Sequence, residues 1–136
     1  MQIKESAENY LERILMLKNK NGMVRSVDIA HAMDFTKASV SVAMKNFRQE
    51  GYITVSGDGE IDLTDKGRAI AERIYERHQL IAQALMALGV REETAYADSC
   101  KIEHDISDES FSCLKAHLTA PVSYTHLRAH ETLRHL

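Results

Sequence analysis

Residues 26–63 read SVDIAHAMDFTKASVSVAMKNFRQEGYITVSGDGEIDL, and the change of periodicity within them decides the fold. Apolar side chains first recur at the spacing of a helix, in two segments at 27–33 and 37–50 that a short break separates. Ser26 and Thr36, which precede these segments, are residue types that cap helices. A short helix, a tight break and a second helix predict a helix-turn-helix.

The period then changes to that of a β-strand. Residues 52–55 and 60–63 alternate polar and apolar side chains, and residues 56–59 (SGDG) lie between them. The Asp-Gly pair in this connection favours a hairpin, because both residue types tolerate a positive φ. We therefore predict a two-stranded wing directly after the second helix, which makes residues 1–64 a winged helix-turn-helix DNA-binding domain.

The rest of the chain is predicted to be helical. One helix, over about residues 4–19, precedes the helix-turn-helix, and a long helix at 65–88 follows the wing. The apolar stripe of the long helix favours packing along another helix, including one of a second subunit. A further helix is predicted at 92–105, and Ser107 caps a last one. The fold class is thus mainly α, with a helical metal-binding and dimerisation domain at 65–120.

The composition is that of a folded protein without a general basic character. Hydrophobic residues make up 44% of the 136 residues, too many for a disordered chain. The net charge of −3 excludes a polycation, so any nucleic-acid binding must use a local basic surface. We find no signal peptide and no apolar stretch of bilayer length. We therefore expect a cytosolic protein, with no membrane partner, whose Cys100 and Cys113 stay reduced.

A local basic surface is predicted on the second helix of the helix-turn-helix. Residues 35–49 hold no acidic side chain but three cationic ones. Small and polar residues at the start of this helix would let it approach base edges in the major groove. Because the charges are few, we predict a homodimer on a palindromic double-stranded DNA operator. The residues predicted to contact DNA are Arg25, Ser26, Thr36, Lys37, Ala38, Ser39, Ser41 and Lys45.

A metal site is predicted from the helix at 92–105. Cys100, Glu103 and His104 lie at i, i+3 and i+4, on one face of that helix. A thiolate and an imidazole suit Fe(II), Zn, Co or Ni, and the carboxylate also accommodates Mn(II). Donors on two other helices extend the set. The candidate metal ligands are Asn9, Glu12, His78, Cys100, Glu103 and His104.

Each donor also has a structural interpretation. His78 lies in an apolar stripe and could be a core histidine, Cys100 could be a small buried side chain, and Glu103 with His104 could form a solvated face. A nucleophilic pair of Cys100 and His104 lacks an orienting third residue and a glycine-rich elbow, so we expect no enzyme. The helix-turn-helix itself could be a helical protein-interaction domain.

Several segments together resemble the diphtheria toxin repressor family, which includes iron-dependent repressors and manganese transport regulators. The resemblance covers about residues 3–120, and Cys100-x-x-Glu103-His104 is its most specific part. The segments that carry it read ENYLERILML, RSVDIAHAM, TKASVSVAMKNF, YERHQLI and ADSCKIEHDIS. The resemblance implies a homodimeric repressor in which metal joins the first helix to the dimerisation helices. Metal would then raise DNA affinity and shut off genes for metal uptake.

The resemblance also assigns ligands, and the assignment mixes two types. Cys100, Glu103 and His104 match the iron-type ligands, whereas Glu12 and His78 match the manganese-type site. Asn9 stands where the iron type has Met and the manganese type has Asp. The cofactor expected is therefore Fe(II) or Mn(II).

Two further features separate this chain from the longer iron-type members. Tyr96 and Ala82 stand where the iron type's ancillary site has a His and a Glu, so we expect that site to be absent. The length suits the compact two-domain kind, without a third domain. Two other functions stay open: a winged-helix repressor that senses a small molecule or an oxidant through Cys100, and an intracellular metal-binding protein that does not bind DNA.

The last residues differ in composition from the rest of the chain. From Val122 on they read VSYTHLRAHETLRHL and hold three of the seven histidines. This string resembles a translated sequencing adapter, so we predict that 121–136 is a non-native tail. The alternative is a natural C-terminal helix in which His126 and His130 lie at metal-binding spacing.

Overall fold

The structure is a computed structural model that describes residues 5–119, and it is mainly α-helical as predicted. The chain divides into two compact units between Glu76 and Arg77. The domain boundary after residue 64 stays a prediction. In chain order the elements are α1 (Glu5–Asn21), α2 (Ser26–Met33), α3 (Lys37–Gln49), β1 (Ile53–Val55), β2 (Ile61–Leu63), α4 (Asp65–Ala87), α5 (Glu92–Asp105) and α6 (Asp108–Leu118).

The turn between α2 and α3 is made by Asp34, whose backbone is left-handed with φ at 56°. Apart from glycine, Asp is one of the few residue types that adopt the left-handed region. The amide of Phe35 then donates to the carbonyl of Ala30 at 3.0 Å. The ring of Phe35 packs edge-on against Tyr10 of α1, with ring centroids 5.6 Å apart. These contacts fix where the chain leaves α2 and begins α3.

The N-caps of the two helices differ from each other. Thr36 caps α3 as predicted, since its Oγ1 accepts from the amide of Ser39 at 3.1 Å. The prediction that Ser26 caps α2 is wrong, because Arg25 occupies the N-cap position and Ser26 begins the helix. The amide of Arg25 donates to Oδ2 of Asp28 at 2.9 Å. A carboxylate three residues into a helix can satisfy the N-cap amide, so the helix starts one residue earlier than the cap-forming serine suggested.

The wing is the antiparallel pair of β1 and β2, in which Ile53 is opposite Leu63 and Val55 is opposite Ile61. The side chains of Ile53, Ile61 and Leu63 are buried. The amide of Ile61 also donates to the carbonyl of Val24 at 2.7 Å, which attaches the wing to the segment before α2. The wing therefore shares the core of the helix-turn-helix.

The connection between the wing strands differs in detail from the predicted Asp-Gly turn. Gly59 has a positive φ of 88°, but Asp58 does not, and Asp34 is the one non-glycine residue within 5–119 that does. The amide of Ser56 donates to the carbonyl of Glu60 at 2.9 Å and closes a longer loop. The longer closure allows Asp58 to keep an ordinary backbone conformation.

Lys18 of α1 binds the acidic edge of the wing. Its Nζ lies 3.1 Å from Oε1 of Glu60 and also forms an ion pair with Asp62. These partners, Asp62 above all, raise the pKa of the lysine. The ion pairs add a charged contact to the apolar packing between the wing and α1.

The first unit has one apolar core, to which α1, α2, α3 and the wing all contribute. Side chains on one face of each helix meet there, as the helical periodicity predicted. Its fully buried members include Leu11, Ile14, Val24, Ile29, Val40, Ile53 and Ile61.

The start of α4 passes very close to the backbone of Tyr52, between α3 and β1. Oγ1 of Thr64 accepts from the amide of Gly67 at 3.1 Å and so caps the helix. A Cβ atom on Gly67 would lie 2.0 Å from the carbonyl oxygen of Tyr52. No side chain fits in that space, so glycine is required at this point of the helix.

The second unit contains the end of α4 together with α5 and α6. Ile81, Ala82, Ala95 and Phe111 are its buried apolar residues. Ser107 caps α6 as predicted, because its Oγ accepts from the amide of Ser110 at 3.1 Å. Arg77 contacts Asp108 and Phe111, so the start of α6 lies beside the middle of α4.

Two further predictions concern membrane-spanning segments and the C-terminal tail. Among the described residues, none of the helices has both the length and the hydropathy needed to cross a membrane. The predicted non-native tail at 121–136, with His126 and His130, lies outside the described residues.

Candidate metal centre and DNA interface

The carboxylate of Glu103 on α5 lies between two imidazoles. Its Oε2 is 3.9 Å from Nδ1 of His78 on α4, and its Oε1 is 3.4 Å from Nε2 of His104 on α5. The side chain of Glu103 is fully buried, and that of His104 is 3% exposed. A fold that buries a carboxylate among imidazoles has gathered three metal-donor groups in one place.

Two of the structural interpretations of these residues are wrong. A solvated face does not describe Glu103, which is 1% exposed. Cys100 is not a small buried side chain, because it is exposed. Burying an ionisable carboxylate costs free energy that a charged or hydrogen-bonding partner must offset. His78 is buried, as a core histidine would be, but its ring faces polar groups rather than only apolar ones.

The two ring nitrogens of His78 face different groups. Nε2 lies 3.2 Å from the carbonyl oxygen of Tyr96, and the ring of Tyr96 packs edge-on against the imidazole. A carbonyl only accepts hydrogen bonds, so Nε2 carries the proton in neutral His78. The lone pair is then on Nδ1, the atom that faces Glu103. Hydrogen bonds of this kind commonly orient metal-binding histidines.

Cys100 lies beside the same histidine but at the other nitrogen. Its Sγ is 3.2 Å from Nε2 of His78 and 4.0 Å from Nδ1. The structure therefore brings Cys100 to His78, nearer to Nε2 than to the nitrogen that faces Glu103. The residue spacing placed all three α5 side chains on one face of the helix, but it did not show which nitrogen of His78 each of them approaches.

The donor atoms fit a divalent transition metal. Two atoms that each lie about 2.0–2.3 Å from one ion are roughly 3–4 Å apart. The separations of Glu103 from the two imidazoles, 3.9 and 3.4 Å, are in this range. Carboxylate and imidazole donors are compatible with Fe(II), Mn(II) and Zn(II). Glu103 could thus share an ion with His78 through Oε2, or with His104 through Oε1.

The remaining predicted ligands, Asn9 and Glu12, lie on α1 in the first unit. They are separated by three positions and therefore share a face of that helix. Glu12 is buried and Asn9 is partly buried. Their part in a metal site stays a prediction.

The positions of the expected ancillary site carry other contacts. Ala82 is fully buried, and the hydroxyl of Tyr96 donates to Oε1 of Gln79 at 3.1 Å. Neither side chain supplies the carboxylate or the imidazole that such a site would need.

Sequence reasoning missed Arg77, which precedes His78 on α4. Its guanidinium is buried and donates to the carbonyls of Glu103 and Ile106, at 3.2 and 2.9 Å. The signal was the helical spacing, because position 77 follows Ile74 by three residues and lies on the same buried face. A charged residue at an apolar position of a helix needs partners, but the sequence does not name them.

The predicted DNA-contacting residues at the start of α3 are accessible. Val42 on the same helix is 62% exposed, and no acidic residue lies in the first turn. The hydroxyl of Thr36 donates to Oγ of Ser39 at 2.9 Å. The start of α3 is therefore an uncrowded, acid-free surface. The predicted DNA contacts that are exposed at this cap and along the helix are Thr36, Lys37, Ala38, Ser39, Ser41 and Lys45.

The other two predicted DNA-contacting residues, Arg25 and Ser26, are partly buried. Nε of Arg25 donates to the carbonyl of Asp58 in the wing connection at 3.2 Å, and the guanidinium also lies 3.5 Å from the Asp58 carboxylate. A hydrogen bond from Ser56, with a smaller contribution from Arg25, lowers the pKa of Asp58. This link between the start of α2 and the wing was not foreseen from the sequence.

Comparison with protein families identifies both parts of the chain. Residues 2–61 match the iron dependent repressor N-terminal DNA binding domain. Residues 64–132 match the iron dependent repressor metal binding and dimerisation domain. The second match extends into the segment that we predicted to be a non-native tail.

Individual relatives agree with these matches. The HTH-type transcriptional regulator MntR of Geobacillus kaustophilus is 36% identical over 102 residues, which are 75% of this chain and 72% of that protein. An uncharacterized HTH-type transcriptional regulator of Methanocaldococcus jannaschii is 34% identical over 113 residues, which are 82% of this chain and 90% of that protein.

Solved structures agree as well. The structure of the manganese regulator SloR superposes with a TM-score of 0.72 at 26% identity, covering 89% of this chain. The chain spans 56% of the length of SloR, so it matches little more than half of that regulator. With both domains matched in order, the chain belongs to the iron dependent repressor family, the diphtheria toxin repressor family of metal-dependent transcriptional regulators that its motifs resemble.

Proposed function

We propose that this protein is a DNA-binding transcriptional repressor that controls metal-ion homeostasis. As a homodimer it binds a palindromic operator through the domain at 1–64, and Fe(II) or Mn(II) bound with ligands of the domain at 65–120 increases the DNA affinity. It acts in the cytosol, has no membrane partner and catalyses no reaction. The family membership of both domains supports this assignment.

The observation that carries the proposal is the position of the Glu103 carboxylate between the imidazoles of His78 and His104. The first unit of the same chain presents an exposed recognition helix, α3, without acidic residues. A metal-donor set and a DNA-reading helix in one chain are the two parts that a metal-dependent repressor needs.

Asn9 and Glu12 complete the site from α1 in this proposal. A bound divalent cation supplies a common point of attachment for donors from α1 and from the second unit. When α1 is held in this way, the two α3 helices of the dimer keep the separation of the operator half-sites, roughly one turn of DNA or a multiple of it. Metal and operator then favour the same arrangement, so each strengthens binding of the other.

The donor types support both candidate metals. The carboxylates and imidazoles suit Mn(II) and Fe(II) equally, whereas the thiolate of Cys100 is a softer donor and favours Fe(II). The relative from Geobacillus kaustophilus carries a manganese-type name, MntR, and the family description refers to iron. Because ligand binding requires a Cys100 thiolate and neutral histidines, activation weakens as the pH falls.

The proposal predicts that Glu103→Ala or His104→Ala abolishes metal-stimulated DNA binding without unfolding the protein. Each change removes a donor from the buried set, and loss of a ligand lowers metal affinity by at least tenfold. The measurement is fluorescence anisotropy of duplex DNA selected from a random library by the metal-loaded protein. It is made anaerobically over a series of divalent metals, with the bound metal per subunit determined in the same samples.

Matched controls are available on exposed positions of the same unit. Glu93→Ala on α5 and His117→Ala on α6 remove the same side-chain types away from the site and should keep the full metal response. Full metal response of both site variants would contradict the switch. Absence of DNA binding with Fe(II), Mn(II), Co(II) and Zn(II) would instead favour a metal-binding protein that does not act on DNA.

An oxidant sensor is a second candidate, because Cys100 is exposed and its Sγ lies 3.2 Å from a histidine nitrogen. In that case hydrogen peroxide changes DNA binding in metal-free samples, and Cys100→Ser removes the effect. In the favoured function the anaerobic, metal-free protein treated with peroxide shows no change in DNA binding.

A further inference from the structure

Arg77 is a buried cation that contacts the end of the helix carrying the metal ligands. The residue is 6% exposed. Nη1 donates to the carbonyls of Glu103 and Ile106, at 3.2 and 2.9 Å, and Nη2 binds the carboxylate of Asp108. The guanidinium also lies over the ring of Phe111, 5.0 Å from its centroid. One side chain of α4 thus contacts the last turn of α5, the connection after it and the start of α6.

These contacts fall where a helix is weakest. Carbonyls in the last turn of a helix have no amide partner within the helix, and helix ends fray when such groups stay unsatisfied. Glu103 and His104 lie in the last turn of α5, which ends at Asp105. The hydrogen bonds from Arg77 therefore hold the part of α5 whose order decides where these two side chains point.

Arg77 and His78 are consecutive residues of α4, so the arginine fixes the α5 ligands relative to the α4 ligand. The hydrogen bond to the carbonyl of Glu103 acts on the same residue whose carboxylate faces Nδ1 of His78. We propose that Arg77 is a positioning residue that orders the last turn of α5, and with it Glu103 and His104, before a metal ion binds. This inference rests on the proposed metal site.

The charge of Arg77 and its positioning role should have opposite effects on metal affinity. A cation close to a metal site repels the ion, so its removal without any other effect would raise metal affinity. A positioning role predicts that metal affinity falls when Arg77 is removed. The end of α5 would then have to become ordered during binding, which costs free energy. The direction of the change therefore separates the two effects.

The test compares Arg77→Met, which keeps much of the apolar stem, with Arg77→Lys, which keeps the charge but loses the fork of donors. The control is Arg68→Met, an exposed arginine on the same helix. Mn(II) and Co(II) affinities are measured anaerobically on the full chain by competition with a fluorescent chelator, at a temperature where circular dichroism shows each variant folded. Loss of a residue that orients metal ligands typically weakens binding by about 10–100-fold.

We expect Arg77→Met to lose about 10–100-fold in affinity, Arg77→Lys to lose less, and Arg68→Met to stay within about twofold of the unmodified protein. The Co(II) absorption bands of Arg77→Met should also shift, because the ligand geometry changes. A merely structural role would lower the melting temperature but leave the affinity and the Co(II) spectrum unchanged, which would overturn the inference. If Arg77→Met does not fold, the metal affinity and the Co(II) spectrum of Arg77→Lys test the inference instead.

The same measurements distinguish a wrong metal site from a wrong role for Arg77. If the unmodified protein binds neither Mn(II) nor Co(II), the metal site itself is wrong, and the positioning role falls with it. If the unmodified protein binds and Glu103→Ala does not, while the Arg77 variants bind normally, the site stands and only the role of Arg77 is refuted.

Discussion

At the scale of single residues, the ion pairs of Lys18 are long-range and could not be predicted. Thr36 was predicted to be an N-cap from its residue type and its place before a periodic segment, and its partner in the structure, Ser39, is only three residues away. Lys18 and its partners Glu60 and Asp62 are more than forty positions apart, and each alone looks like an ordinary surface charge. A sequence pattern contains only local spacing, so it can identify a cap such as Thr36 but misses ion pairs of this kind.

The Lys18 contacts predict a pH-dependent contribution to stability. The pKa of the folded-state lysine is raised, so its contribution is fully present below the unfolded-state pKa near 10.5 and is lost as pH rises through the higher folded-state value. We expect Lys18→Gln to lower the free energy of unfolding by about 1 kcal/mol at pH 8, since the lysine is only partly exposed. Urea denaturation at pH 8 and at pH 11.5 measures the difference.

Lys20→Gln is the control, because Lys20 is an exposed lysine on the same helix. Its effect should be small and the same at both pH values. A loss for Lys18→Gln that persists undiminished at pH 11.5 would show that the charged contacts with the wing are not its cause.

At the scale of elements, periodicity and cap residues were sufficient to predict the helices and strands within residues 5–119. The sequence did not predict the points of close approach between a helix and another segment, because these depend on tertiary packing. Gly67 lies inside α4, a position where glycine is normally unfavourable relative to alanine. The structure supplies the reason, since a Cβ atom there would lie 2.0 Å from the carbonyl oxygen of Tyr52.

This close approach predicts that Gly67→Ala destabilises the protein even though alanine is the better helix former. The backbone of Tyr52 cannot move without breaking the packing of the wing, so we expect a loss of about 1–3 kcal/mol in the free energy of unfolding, from urea denaturation. Gly57→Ala in the wing connection, where a Cβ atom would meet nothing within 4 Å, should be nearly neutral. Equal effects of the two changes would mean that α4 can shift away from Tyr52.

At the scale of the whole molecule, the sequence predicted which residues belong to the site better than how they are arranged. Spacing alone put Cys100, Glu103 and His104 on one helical face. It could not show that Cys100 approaches the opposite nitrogen of His78, nor that Arg77 holds the end of α5, because both depend on packing between helices. His78 was among the further donors predicted on other helices, and the structure shows that it lies beside Glu103.

The two proposed activities should be separable by mutation. Ser39→Glu adds a negative charge to the surface of α3 that would approach DNA phosphates, so we expect at least a tenfold loss of DNA affinity at fixed salt, measured by anisotropy. Metal affinity should stay unchanged. Position 39 is the third residue after the Thr36 cap, where glutamate favours the start of a helix, so the change should not unfold the domain.

Ser112→Glu on α6 adds the same charge at an exposed position of the second unit and is the matched control. It should leave DNA affinity nearly unchanged. Equal effects of the two variants would place the DNA-binding surface elsewhere.

The contact between Arg25 and Asp58 has a consequence for how DNA binding would depend on ionic strength. A free surface arginine exchanges condensed counterions for a phosphate, and each such exchange steepens the decline of affinity with salt. Arg25 already has a carboxylate neighbour 3.5 Å away. A phosphate would have to share the guanidinium with that carboxylate, so Arg25 would add less to the salt dependence than a lysine such as Lys45, which is exposed on α3.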